Sequence, residues 1–264
     1  MCGARATQAR GRVRHSRDVR PHFRAASGAV RVAGGAADRA FRYDCHVTLP
    51  LFVLSGIGGD ERLFDAQRAV RDIRPITRIL PIDRAETLQH YARRLADEMH
   101  INEPFDLGGS SFGGMIALEL ARHLLPQNVF LFGSCRSSRS VAPSLHAFGR
   151  LAGIVPDRLL HPPRPLHPLV ARWFGATSAA HVQLFADMLA ATPTAFIRWA
   201  SSAVFSWPGV AELPMPIHHV HGERDRLIPL RRVTPDHVIH GAGHLLNLTH
   251  ADAVNDFIVR AAAS

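Results

Sequence analysis

A chain of 264 residues, 47% hydrophobic, can bury one sizeable core, and a single main domain is the expectation. Its apolar runs fall far short of the ~18 to 20 residues of a membrane helix, so no membrane partner is expected and the protein reads as soluble and cytoplasmic. Cys2, Cys45 and Cys135 are an odd number without CxxC spacing, which argues against a disulfide framework and a structural zinc site.

All 31 basic residues are Arg, a pattern attributed to codon usage rather than to nucleic-acid binding, and no nucleic-acid partner is expected. The charge is uneven. Residues 1–46 hold ten Arg against Asp18, Asp38 and Asp44, which accounts for +7 of the formal +9. This leader has no helical or strand periodicity and few large apolar residues, so it is expected to be disordered. It lacks the apolar core of a secretory signal. A transit peptide or a nucleic-acid-binding arm would explain its arginines; upstream sequence read from a mis-set start codon is the preferred explanation.

The expected folded domain covers 47–264, and its pattern becomes regular from Val47. "VTLPLFVLSG" reads as a buried strand. "DERLFDAQRAV" places Leu63, Phe64, Gln67 and Val70 at helical spacing behind Asp60 as N-cap. "ITRILPID" (76–83) predicts a second strand. "ETLQHYARRLADEMH" puts Leu88, Tyr91, Leu95 and Met99 on one helical face. "PFDLGG" is a third strand, Phe112 to Leu125 a helix closed by Pro126, and "NVFLFGS" a fourth strand. The stretch from about 137 to 207 interrupts this rhythm. It holds a proline-rich connector, a helix from Ser178 to Ala191, and another opening with Thr192 as N-cap and Pro193 at its first position. "MPIHHVHG" and "DHVIHG" then read as strands, and "ADAVNDFIVRAAA" as a final helix. The alternation predicts an α/β fold, a mostly parallel sheet of about six strands with helices on both faces and an inserted helical lid.

Between the third strand and its helix stands Gly109-Ser110-Ser111-Phe112-Gly113. A strand, then G-x-S-x-G, then a helix is the context of a nucleophile elbow, a turn so tight that its neighbours must be glycine. The register selects Ser111, because Ser110 would need glycine where Phe112 stands. A serine hydroxyl needs a base to take its proton, and that base needs a carboxylate to orient it. In the order Ser, Asp, His, "HGERDRLIP" offers Asp225 after one strand and "GAGH" offers His244 after the next. Glu223 competes with Asp225, which could instead pair with Arg224 or Arg226, and His244 is one of seventeen histidines. For an oxyanion, the backbone N–H groups of Phe112 and of Ile57 in "SGIGG" are the candidate donors.

Through "SGIGGDERLF", "GGSSFGG", "GERDRLIP" and "GAGH", in order over residues 51 to 250, the chain resembles the α/β-hydrolase superfamily. It looks most like a compact bacterial branch that begins at the strand before the oxyanion loop. The resemblance implies a Ser111–Asp225–His244 triad, a helical lid at about 137–207 and no cofactor or metal. Two departures stand out: Ser55-Gly56 replaces the usual His-Gly, and the first two strands of the full fold are missing.

The expected function is a serine hydrolase acting on a carboxylic ester or related acyl bond of a small molecule. Acyl transfer or thioester cleavage on the same triad is one alternative, and a ligand-binding protein with little turnover is another. The region 137–207 holds Trp173, Trp199 and Trp207 with Phe174, Phe185, Phe196 and Phe205. These rings would line an apolar acyl or aryl pocket or build the insertion's own core.

Overall fold

Strand β1 (Leu51–Leu54) has three of its four residues buried, as suits a run paired on both edges and covered on both faces. The structure, a computed structural model, describes residues 49–83, 85–146, 156 and 160–262. The Arg-rich leader lies outside the described residues. What is described belongs to one compact unit, His46–Ser264.

Five further strands join β1: β2 (Ile73–Pro75), β3 (Asp106–Ser110), β4 (Val129–Phe132), β5 (Ile217–Gly222) and β6 (His237–Ile239). Every pairing is parallel, in the order β2-β1-β3-β4-β5-β6. The chain therefore steps outward from β1 to β2, then returns across it to β3. Loops leaving β1 and β3 diverge there, and such a switch point opens a crevice at the carboxyl ends of the strands.

The two sheet faces carry separate cores, as the two-residue side-chain period requires. Val129 and Leu131 face α1 (Leu88–Glu98) and α2 (Phe112–Leu124), among Leu95, Met115 and Leu118. Phe130 and Phe132 face the opposite layer, with Phe64 from a 3₁₀ helix (Glu61–Ala69) and Val254 and Phe257 from α6 (Ala251–Ala262). Asp60 caps the 3₁₀ helix by accepting from the Arg62 N–H at 3.0 Å, and Thr87 caps α1 by accepting from the His90 N–H at 3.2 Å.

Three elements depart from the sequence expectation. The second strand is Ile73–Pro75, ahead of the predicted 76–83. Only its inner edge is paired, so Pro75, with no N–H, can sit there, and beyond it only Ile76 N–H reaches Val53 O. Thr192 does not cap the helix that follows it; its hydroxyl donates back to Met188 O at 2.9 Å, ending α4 (Ala179–Ala191). Pro193 then precedes α5 (Thr194–Ser206).

The third departure concerns the helical insertion between β4 and β5. Its α3 (His167–Trp173) and α4 share a small core of Ala171, Ala176 and Phe185 with Leu245. Helix α5, in contrast, belongs to the main core. Trp199 packs on Tyr91 with ring centroids 4.5 Å apart and donates its indole N–H to Glu86 O at 2.8 Å. Trp207 donates to Glu119 Oε1 at 2.6 Å. Both rings thus join the insertion to α1 and α2 instead of facing a ligand. No helix among the described residues is long and apolar enough to cross a membrane.

Candidate active site

Ser110 is the last residue of β3, buried and paired with Phe132, whereas Ser111 begins the turn. Ser111 holds φ 54° and ψ −122°, a conformation that costs a non-glycine residue ~1–3 kcal/mol. The turn is held by Ser111 N–H donating to Phe132 O at 3.1 Å and by Ser134 Oγ donating to Ser111 O at 2.6 Å. Glycine is required on either side: a Cβ on Gly109 would stand 2.6 Å from Gly114 N, and one on Gly113 would stand 2.5 Å from Ser55 O. Both contacts would force the α2 N-terminus off the sheet.

The loop after β1 presses against this turn. A Cβ on Gly56 would lie 2.9 Å from Ser111 Cβ and 3.4 Å from Ser111 Oγ. Ser55 ties the loop by donating its hydroxyl to Gly59 O at 3.0 Å. The N–H groups of Ile57 and Phe112 donate to no protein acceptor among the described residues. Two N–H donors are therefore left without a protein acceptor, one next to Gly56 in this loop and one on the first residue of α2, next to Ser111.

Asp225 and His244 arrive from the ends of β5 and β6. His244 Nδ1 lies 2.7 Å from Asp225 Oδ2, with both residues 5% exposed. The other carboxylate oxygen accepts from Leu227 N–H at 2.8 Å and Ile228 N–H at 2.9 Å. Burial would raise the Asp225 pKa, but the His244 imidazole, His221 and the Ile228 N–H together hold it below the usual carboxylate range. Asp225 is therefore a buried carboxylate and not a partner of its flanking arginines. Its competitor Glu223 points to the surface, where it accepts from Gly241 N–H at 2.9 Å.

Both halves border the residues after β4. Ser134 bonds Ser111, while a Cβ on Gly133 would stand 3.3 Å from His244 O. No hydrogen bond joins Ser111 Oγ to His244; such contacts are often long without substrate. Phe174 packs edge-on to His244, centroids 5.9 Å apart, and its carbonyl accepts from Leu245 N–H at 3.1 Å. Cys135 is no rival nucleophile: burial pushes its thiol up to about 12, outweighing a hydrogen bond with the Ser137 backbone that lowers it, and the nearby Asp225 charge adds to the rise. Among the described residues, no group of three or more His, Cys, Asp or Glu is arranged to hold a metal ion.

A cavity of about 430 Å³ lies on the β1–β2 side of the Gly56 loop. Leu54, Gly56, Ile76, Tyr91, Met188 and Phe196 are among its lining, together with polar Ser55, Asp60, Glu61, Thr77, Arg78 and Thr192. Of the seven rings singled out in the sequence only Phe196 lines it, because packing against α1 and α2 removes Trp199 and Trp207. Sequence reasoning also passed over His219 and His221, buried on the strand that leads to Asp225. Their signal was two histidines spaced by two on a strand, the second four residues before the acid.

No curated protein matches the sequence. Solved structures share the fold. A thermophilic esterase from Thermogutta terrifontis superposes with a TM-score of 0.63 at 19% identity, covering 82% of this chain and 91% of that one. A hydrolase from Oleispira antarctica gives 0.65 at 12% identity, with 82% and 91% covered. The N-acyl homoserine lactonase AidH, complexed with N-butanoyl homoserine, gives 0.60 at 21% identity, with 80% and 88% covered. The profile described as the alpha/beta hydrolase family matches residues 13–257, and the parallel six-stranded sheet agrees with it. The chain belongs to the alpha/beta hydrolase family.

Proposed function

We propose that the protein is a serine hydrolase that cleaves a carboxylic ester, or a closely related acyl bond, of a small molecule. The observation that carries this reading is the backbone of Ser111: a serine held at φ 54° between a strand and a helix, at the switch point of the sheet. Such strain at a crevice is retained where function needs it.

In this reading, His244 donates its Nδ1–H to Asp225 Oδ2, which leaves the Nε2 lone pair to take the Ser111 proton. Ser111 Oγ attacks the carbonyl carbon, and the N–H groups of Ile57 and Phe112 receive the charge that develops on its oxygen. The imidazolium returns its proton to the leaving alkoxide, giving an acyl-Ser111 and free alcohol. Water, deprotonated by the same imidazole, then releases the acid and restores the serine. The Asp225 charge fixes the tautomer and stabilises the imidazolium. The cavity beside Gly56, with Ile76, Tyr91, Met188 and Phe196, suits an apolar acyl or aryl group.

A fluorophosphonate probe tests the reading. Labelling at Ser111 that is lost in Ser111→Ala and retained in Ser110→Ala supports it. Ligand-induced melting shifts with no labelling would instead indicate a binding protein. A panel of acyl esters and thioesters, assayed with water and with alcohol acceptors, separates hydrolysis from acyl transfer.

A further inference from the structure

Three imidazoles and one carboxylate form a continuous buried line, of which the proposed mechanism uses only half. His219 Nε2 lies 3.2 Å from His221 Nδ1. His221 Nε2 lies 2.7 Å from Ile228 O and 3.5 Å from Asp225 Oδ2, the oxygen that also faces His244. His219 is 5% exposed and His221 is fully buried at 0%. The tautomers follow from the partners. The Ile228 carbonyl can only accept, so His221 carries a proton on Nε2; with both rings neutral, as burial favours, its Nδ1 accepts from His219 Nε2–H.

This arrangement determines what His221 can offer Asp225. Its Nδ1 lone pair, where a second proton would go, is occupied by the His219 donor. Burial pushes both imidazoles below the usual histidine range, His219 to about 3. Around the line stand Asp236, which accepts from the His219 backbone N–H; Cys135, held as a neutral thiol; and Arg136, whose guanidinium bonds Val210 O and Ala211 O. His221 is therefore a neutral N–H dipole, not a cation. A cation there would compete with His244 for the Asp225 charge, and an apolar group would leave that edge of the carboxylate without a dipole.

We propose that His221, locked by His219 and Ile228, is a positioning residue that holds the Asp225 carboxylate toward His244 while leaving its negative charge for the imidazolium. This rests on the serine-hydrolase reading of the same site.

The test compares His221→Phe with His221→Gln in the full chain, assayed on the best ester of the panel. Phe keeps the volume and removes the dipole. It should lower kcat about tenfold with KM within about twofold, as expected for lost positioning rather than lost binding. The acid limb of its kcat/KM profile should move to higher pH, because a less solvated carboxylate favours the imidazolium more strongly. Gln can donate to Ile228 O and accept from His219, and should restore most of kcat and the parent profile. Parent-like kcat and acid limb in His221→Phe would overturn the proposal and leave the triad standing, provided Ser111→Ala abolishes labelling. Retained labelling in Ser111→Ala would sink both. Should His221→Phe fail to fold, His219→Asn decides. It frees His221 Nδ1 to take a proton and should add a second ionisation to the acid limb; an unchanged limb counts against the lock.

Discussion

Gly56 faces Ser111 across a gap too small for a side chain: a Cβ on Gly56 would stand 2.9 Å from Ser111 Cβ and 3.4 Å from its Oγ. The loop that carries Ile57 is thereby set against Ser111, the proposed nucleophile, and its approach is limited by one methyl group. Gly56→Ala should push the loop away and withdraw the Ile57 N–H from the oxyanion. Loss of one such donor costs about 10²-fold or more in kcat, so a fall of about that size is expected. Probe labelling should slow in parallel while the melting temperature changes little. Turnover equal to the parent's would remove Ile57 from the oxyanion site.

Asp225→Asn separates charge from shape. The amide oxygen can still accept from Leu227 and Ile228, so the loop should keep its form. Its NH₂ cannot accept from His244 Nδ1–H, which favours the wrong tautomer. A loss of about 10³-fold or more in kcat is expected. Glu223→Gln, changing a surface carboxylate, should stay within about twofold of the parent. The reverse ranking would exchange the two acids.

The buried bond from Trp207 Nε1 to Glu119 Oε1 predicts a stability effect without a catalytic one. Trp207→Phe strands a Glu119 side chain that is only 2% exposed, its remaining ionic neighbour being Arg122 at 3.9 Å. A cost of about 1–3 kcal/mol is expected from denaturant midpoints, with KM unchanged. A raised KM for aryl or acyl esters would put this ring back in the substrate pocket.

Acid stability should report on the paired histidines of β5. Below the ~6.5 of a free imidazole the unfolded chain takes up a proton at position 219. The folded chain, where burial and His221 oppose that charge, refuses it until about 3. The folded state then binds fewer protons, so stability is complete above ~6.5 and falls as pH drops, by about 1.4 kcal/mol per pH unit for one such group. Urea midpoints measured from about pH 6.5 down to 4 should fall more steeply in the parent than in His219→Asn. Equal slopes would mean that position 219 is already charged, or is exposed, in the folded protein.

Much of this fold was legible in the order of residues, because period and local chemistry are properties of neighbours along the chain. Alternating strand and helix patterns implied the parallel sheet that the structure has. Gly109 and Gly113 around Ser111 marked a turn that admits no side chain on either flank. Asp60 and Thr87 announced the helix starts they cap. What the tertiary structure alone decided depends on partners far apart in sequence. Pro75 lies in a strand because only one edge of β2 is paired. Trp199 and Trp207 are core residues because Glu86, just before α1, and Glu119, in α2, accept their N–H groups. The pairing of Asp225 with His244, and the two histidines lined up behind them, arise because parallel β5 and β6 end at one sheet edge and a strand sends alternate residues to one face.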